Sequence, residues 1–288
     1  MSFASDLRRV RSRSARFEKV LEARAKVLVV SHNNPDPDSI VSALLLETLL
    51  TRVFGISVTI AYSGVIGRAE NKALLEYCGI QPVPLREIDV AKFETVALVD
   101  TQPGTGNHPF EEAGKVAVVL DHHRLRPDTR QVAFFDVRDH LGSTTTLLHL
   151  YWRVWRLELT PKFATAMLYA LRSETADMGR AASVVDRRLF KDLYALADLR
   201  ALSRIVNAKI GVYGDEILFS LRSDDPGALL ESLARRVAGG LGTAGGHESC
   251  AGGQIPVTRS ARGGKKSLQE AVIARLLEEL GLKGDLGI

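Results

Sequence analysis

The sequence predicts an α/β protein: a largely parallel sheet with flanking helices, followed by a smaller α/β C-terminal domain. Three observations carry that expectation. Short β-branched apolar runs alternate with helix-like segments from residue 27 to residue 171, a pattern that implies βαβ units and parallel strands. Three of those runs end in Asp and His, at His32–Asp38, Asp100 and Asp121–His123. Beyond residue 208 the pattern changes to glycine-rich sequence between short strands and two further helices.

The chain has 288 residues, 45% hydrophobic and 25% charged, enough to bury two cores. Its net charge of +4 suits an anionic ligand without demanding one. No run approaches the roughly 18 apolar residues of a membrane span; residues 43–50 are too few and include Glu47. Cys78 and Cys250 stand far apart and in no CxxC pair, which argues against a disulfide framework or a structural zinc and fits a reducing cytoplasm.

A basic run from Arg8 to Lys26 is interleaved with Val10, Phe17, Val20 and Leu21 at helical spacing, so an amphipathic first helix is expected, with a nucleic-acid arm as the other reading. Val27–Val30 reads as a buried strand that breaks into the loop Ser31–Ser39; a helix runs from Ile40 to Phe54 and stops at Gly55. Val58–Tyr62 is a strand, Arg68–Cys78 a helix ending at Gly79, and Thr95–Asp100, Val116–Leu120 and Val132–Asp136 are strands. Helices follow at Leu147–Trp155 and Pro161–Leu171. The domains are expected as 1–180, a helical linker over 181–207, and 208–288. In the last of these, Ile217–Ser220 is a strand, Asp224–Gly227 a turn, Leu229–Ala238 a helix, Gly239–Gly253 a glycine-rich loop, and Ser267–Leu280 a helix stopped by Gly281.

Parallel strands place their carboxyl ends along one edge of the sheet, where open α/β sheets bind ligands. His32, Asp36, Asp38, Asp100, Asp121, His122 and His123 therefore gather at that edge, and imidazole with carboxylate is a donor set for a divalent cation. The same Asp and Ser residues also suit turns and a helix cap, which Ser39 could provide. The hydroxyls of Ser143–Thr146 could cap the next helix or expose its amides to an anion; both readings stand. Glu174 and Asp177 follow an apolar helix and by themselves read as a solvated helix end. The glycine-rich loop lets backbone amides approach a ligand, but it is neither a Walker A loop nor a dinucleotide fingerprint.

Together these segments resemble the DHH phosphoesterase superfamily, and most of all its small two-domain members of the nanoRNase/pAp-phosphatase type. The resemblance rests on His32-x-x-Pro35-Asp36-x-Asp38-Ser39, Val99-Asp100-Thr101, Asp121-His122-His123, Gly142-Ser143-Thr144 and Gly245-Gly246-His247, and spans residues 26–260. It implies a RecJ-like DHH domain with a DHH-associated C-terminal domain, and two divalent cations, manganese first with magnesium or cobalt as alternatives. By the motif match His32, Asp36 and Asp100 hold one ion, and Asp38, Asp100, His122 and Glu174 the other. His123 contacts the scissile phosphate or protonates the leaving oxygen, Asp121 orients an imidazole, and Arg222, Gly245, Gly246, His247 and Ser143 bind substrate.

The implied activity is hydrolysis of short oligoribonucleotides or of 3'-phosphoadenosine 5'-phosphate (pAp). The alternatives are a cyclic or linear dinucleotide phosphodiesterase, a pyro- or polyphosphatase, and a non-catalytic nucleotide-binding protein. The implied partners are short RNA or nucleotide, with no membrane and a homodimer as the assembly to test. The chain departs from the pattern in having Glu174-Thr175 for Asp-Thr, with Asp177 as a substitute carboxylate. Pro37 and Val41 replace glycines, and Ala244 and Cys250 alter the glycine loop. No departure removes a donor atom, so activity is expected to survive them.

Overall fold

Six apolar runs pair as parallel strands: β1 (Lys26–Val30), β2 (Ser57–Tyr62), β3 (Val83–Pro84), β4 (Thr95–Val99), β5 (Val116–Asp121) and β6 (Phe134–Val137). Their spatial order is β3-β2-β1-β4-β5-β6. The structure is a computed structural model that describes residues 2–108, 110, 116–206, 210–213, 216–222, 230–247, 250–257 and 264–279. By its internal contacts the chain forms two units, 1–66 with 74–202 and 67–73 with 203–288.

The central strands read as continuous apolar runs because both faces of the sheet are covered. Leu28 and Val30 pack with Val96 and Leu98 on one face, and the alternate residues Val27, Val29, Ala97 and Val99 are equally buried. The helices of this unit are α1 (Phe3–Leu21), α2 (Pro37–Phe54), α3 (Ala69–Cys78, whose first residues group with the second unit), α4 (Thr144–Val154), α5 (Pro161–Glu174) and α6 (Val184–Leu196). α2 and α4 are joined by the buried Trp152, whose indole N–H donates to the Leu45 carbonyl at 2.9 Å.

The basic first helix is used inside the molecule. It buries Val10, Phe17 and Leu21, with Phe17 edge-on to Phe134 and Tyr151. Arg13 donates to the Phe135 carbonyl, and Arg16 donates to the Ala133 carbonyl at 2.6 Å. Arg138 is fully buried and donates to Asp6 at 3.0 Å and to Asp136 at 2.9 Å, which fastens the start of α1 to the end of β6.

Three expectations change. The helical segment 181–207 is two helices, α6 and α7 (Leu199–Val206), broken where Asp198 caps α7 through the amides of Arg200 and Ala201. α6 buries Val185, Leu189 and Leu193, so it belongs to the first unit's core, and the division falls at 202/203. The helix expected from Ile40 begins at Pro37, because the Asp36 side chain caps it and the Ser39 hydroxyl answers from the third helical position.

The third change lies in the second unit, where the glycine-rich stretch forms strands. β7 (Ile210–Tyr213), β8 (Glu216–Arg222), β9 (Thr243–His247) and β10 (Cys250–Pro256) make an antiparallel sheet in the order β7-β8-β10-β9. α8 (Leu230–Ala238) and α9 (Gly264–Glu279) cover it through Leu233, Val237, Val272 and Leu276. Glycine is required in β10 by close approach. A Cβ on Gly252 would lie 2.7 Å from the Phe219 carbonyl oxygen, and one on Gly253 would lie 2.7 Å from the Phe219 ring. The turn expected at Asp224–Gly227, the helix start at Leu229 and the stop at Gly281 lie outside the described residues.

Candidate metal centre

The strand order reverses between β1 and β4, and the crevice beyond the carboxyl ends at such a reversal is the natural ligand site of an open sheet. The chain fills that crevice with its chelating residues. His32 leaves β1, Asp36 and Asp38 open α2, Asp100 ends β4, and His122 and His123 follow Asp121 at the end of β5. Asp100 adopts a left-handed backbone, φ 58°, which a residue with a side chain holds only when its surroundings demand it.

Asp100 is the shared element. One carboxylate oxygen lies 3.5 Å from His32 Nε2, and the other lies 3.5 Å from His122 Nε2. On the first side Asp36 stands 3.7 Å from His32 Nε2; on the second, Asp38 stands 3.8 Å from His122 Nε2. Two groupings with cation-binding spacing result, His32–Asp36–Asp100 and Asp100–His122–His123. The first brings together the three residues that the resemblance implied for one ion. The second brings in His123, whose Nδ1 is 3.8 Å from Asp100.

Two observations test whether a cation fits. His122 Nε2 is buried and has no hydrogen-bond partner, and a buried nitrogen in that state costs free energy unless something coordinates it. Carboxylates also crowd without enough positive charge. Burial raises the Asp38 carboxyl well above its ordinary range, and the charges of Asp100, Glu174 and Asp36 push it the same way. A divalent cation bound by imidazole and carboxylate relieves both conditions.

His32 responds to the same crowding from the other side. Burial pulls its imidazole down, but hydrogen bonds and charge from Asp100 and Asp36 outweigh that and raise it to about 11.

The orienting contacts come from groups that the sequence does not advertise. Asp38 is 1% exposed, and its two oxygens accept the amides of Thr144 and Thr145 at 2.8 and 2.9 Å, so the amino end of α4 grips this carboxylate. The Thr144 hydroxyl donates to Asp100 at 2.9 Å. The Leu141 carbonyl lies 3.2 Å from His122 Nδ1, which directs the other ring nitrogen to the cluster. Asp186 accepts from the Gly142 amide at 2.8 Å and from the Ser183 amide at 2.7 Å, so one carboxylate ties the start of α6 to the start of α4. The amides of Gly142, Thr144 and Thr145 thus serve the protein's own carboxylates. Ser143, expected at the substrate, is fully buried; its hydroxyl accepts the Thr146 amide at 3.0 Å and caps α4.

Asp121 is fully buried and holds His123 Nδ1 at 2.8 Å. Its other oxygen accepts from Gln102 at 2.6 Å. Burial opposes the charge of Asp121, but His123, His122 and Gln102 hold it below the usual carboxylate range. The bond to Asp121 raises His123 to about 9 against the effect of burial. Of the two carboxylates at and beyond the end of α5, Glu174 is the one that senses the centre. Burial raises it to about 7, with the charges of Asp36 and Asp100 adding to the shift. Asp177, the substitute, is paired with Arg172.

In the second unit, Cys250 of β10 pairs with Arg222 of β8 on one side and with His247 of β9 on the other. Arg222 and His247 thus share one rung of that sheet, with Gly246 and Gly245 on the next rungs. The side chains of Arg222 and His247 lie outside the described residues.

Comparison with known proteins agrees with this arrangement. The DHH family, N-terminal domain, matches residues 26–171. An uncharacterized protein of Methanocaldococcus jannaschii is 27% identical, covering 98% of this chain and 70% of its own. A probable manganese-dependent inorganic pyrophosphatase of Brevibacillus brevis is 31% identical over 52% of this chain and 48% of its own. The manganese-dependent inorganic pyrophosphatase of M. jannaschii is 27% identical over 66% of this chain and 59% of its own. The chain therefore spans about half of the curated pyrophosphatases it matches. The crystal structure of an exopolyphosphatase-related protein from Bacteroides fragilis superposes with a TM-score of 0.57, at 15% identity, over 93% of this chain and 96% of the other; it speaks for the fold. Since the matched segment contains every strand tip that builds this centre, the chain belongs to the DHH family.

Proposed function

We propose that the chain is a manganese-dependent phosphoesterase that hydrolyses its substrate at the β1/β4 reversal. The observation that carries the reading is Asp100 between two imidazole–carboxylate groups, with a buried and unpartnered His122 nitrogen beside it. His32, Asp36 and Asp100 would hold one cation, and Asp38, Asp100, His122 and Glu174 the other. A pair of divalent cations in such a site lowers the pKa of water and neutralises charge on phosphoryl oxygens. Manganese is the choice because it accepts oxygen and imidazole together and because the named relatives are manganese-dependent.

The chain's own residues supply orientation and proton transfer. Thr144, Thr145 and Leu141 fix Asp38, Asp100 and His122. Asp121 occupies His123 Nδ1, which leaves Nε2 for a phosphoryl or leaving-group oxygen. The bond to Asp121 favours the protonated form of His123, which can deliver its proton as the phosphoester bond breaks. Arg222, Gly245, Gly246 and His247 would bind the remainder of the substrate.

The substrate reading is a short oligoribonucleotide or pAp, in keeping with the Gly245-Gly246-His247 motif. A phosphoanhydride substrate is the second reading, favoured by the pyrophosphatases among the relatives. Among the described residues no helix is long and apolar enough to cross a membrane. The test is a panel of pAp, di- to pentaribonucleotides, cyclic dinucleotides, pyrophosphate and polyphosphate with Mn²⁺, run on the wild type and on Asp100→Ala. Manganese-dependent turnover that Asp100→Ala abolishes supports the reading. Binding of nucleotide without release of phosphate or mononucleotide indicates a non-catalytic sensor, and full turnover by Asp100→Ala overturns the two-cation assignment.

A further inference from the structure

One cavity of the first unit extends away from the carboxylate cluster. It has a volume of about 640 Å³, within the range of small-molecule sites, and it opens beside Asp100 and His123. Its walls include Thr105 and Asn107 from the loop after β4, and Arg124, Leu125 and Arg126 from the loop after β5. The metal centre uses none of these five residues.

The two arginines differ from the other basic residues near the sheet's edge. Arg138 is buried in a carboxylate network, and Arg13 and Arg16 are bound to backbone carbonyls. Arg124 and Arg126 are exposed, and neither forms an ion pair with an acid among the described residues. The nearby Asp128 carboxylate lies over Gly104.

The loop that carries these arginines is held firmly. Gln102 is fully buried; its amide nitrogen donates to Asp121 at 2.6 Å and to the Arg124 carbonyl at 3.2 Å. Its amide oxygen accepts the Arg126 amide at 2.9 Å and the Thr129 hydroxyl at 3.0 Å. Opposite, the Thr101 and Thr105 hydroxyls both lie 2.6 Å from the Asn107 side-chain oxygen. Two guanidinium groups thus project from an anchored backbone beside a cluster of acids. Planar guanidinium forks match phosphate geometry, and an anion arriving at a carboxylate-lined site gains from such cations.

We propose that this cavity is a second phosphoryl subsite, in which Arg124 and Arg126 hold the phosphate adjoining the one that is cleaved. It rests on the hydrolase reading above and sharpens it: the preferred substrate carries a second phosphoryl group within reach of the one that is cleaved, joined to it as an anhydride or held across one ribose as in pAp. The first unit then selects by itself for substrates that carry two phosphoryl groups.

The experiment is isothermal titration of Mn²⁺-loaded protein with imidodiphosphate, with a non-hydrolysable phosphonate analogue of pAp and with inorganic phosphate, on the wild type, the Arg124→Gln/Arg126→Gln variant and the Arg124→Lys/Arg126→Lys variant. The glutamine variant is expected to bind imidodiphosphate or the pAp analogue roughly tenfold to a hundredfold more weakly, the scale of lost hydrogen bonds to a charged group. Inorganic phosphate should lose far less, and the lysine variant should fall between. Loss on both two-phosphoryl anions, or on either one alone, supports the subsite and tells anhydride from nucleotide. Equal loss on inorganic phosphate, or no loss at all, overturns it. Because binding needs no turnover, an inactive wild type refutes the hydrolase reading without touching this result; an active wild type with unaltered variant affinities refutes the subsite alone.

Discussion

Replacing Thr144 by valine separates the work of a side chain from that of the backbone beneath it. Thr144 is fully buried, and valine is close to it in shape, so the packing of α4 is preserved. Its amide continues to donate to Asp38 at 2.8 Å, while the hydroxyl bond to Asp100, 2.9 Å long, disappears. A hydrogen bond to a charged acceptor contributes about 1.5–3 kcal/mol, and losing an outer partner of a metal ligand costs roughly 10- to 100-fold in metal affinity. The two scales agree, since about 1.4 kcal/mol is a factor of ten. Calorimetric titration of the metal-free variant with Mn²⁺ should show that loss, while urea denaturation reports stability separately. Ser143→Ala is the internal comparison: it removes the cap of α4, costing about 1 kcal/mol of stability, and should leave Mn²⁺ affinity within a few-fold of wild type. Wild-type Mn²⁺ affinity in Thr144→Val would refute the claim that the Thr144 hydroxyl orients Asp100 for the cation, whatever happened to stability.

Three further outcomes follow from the same geometry. His149 is buried in α4 with Nδ1 unpartnered, and burial lowers its pKa to about 4. The unfolded chain therefore takes up a proton that the folded chain refuses as pH falls from about 6.5 to 4, at a cost of about 3 kcal/mol; His149→Phe should flatten the acid limb of stability against pH, and an unchanged limb contradicts this. Arg138→Met leaves the Asp6 and Asp136 carboxylates buried without their cation, so denaturation should show a loss of about 3–5 kcal/mol; a loss below about 1 kcal/mol counts against the network. Asp121→Asn removes the charge that raises His123 to about 9, and the alkaline limb of the pH–rate profile should move to lower pH; a stationary limb shows that His123 is not the group titrating.

The strand tips were readable because their signal is local. A β-branched run followed by imidazole and carboxylate within a few residues marks β1, β4 and β5, and the structure brings Asp36, Asp38, Asp100, His122 and His123 to one place as expected. What escaped reading acts over long separations or through backbone. The amides of Thr144 and Thr145 reach Asp38, 106 and 107 positions away for the amide of each in turn, and an amide leaves no trace in residue type. Arg138 meets Asp6 across 132 positions. β9 and β10 escaped because glycine has low strand propensity on its own; pairing on both sides of β10 and the close passage of Phe219 make the strand. α6 was read as a connector because its apolar stripe, Val185, Leu189 and Leu193, shows only that it packs and not on which unit.

Anomalous diffraction at the manganese edge, from crystals grown with Mn²⁺, tests the role of Asp100 most directly. Two peaks separated by roughly 3.5–4 Å, one on each side of the Asp100 carboxylate, are the predicted result, and both should fade in Asp100→Ala. A single peak, or two peaks that do not share Asp100, contradicts the account.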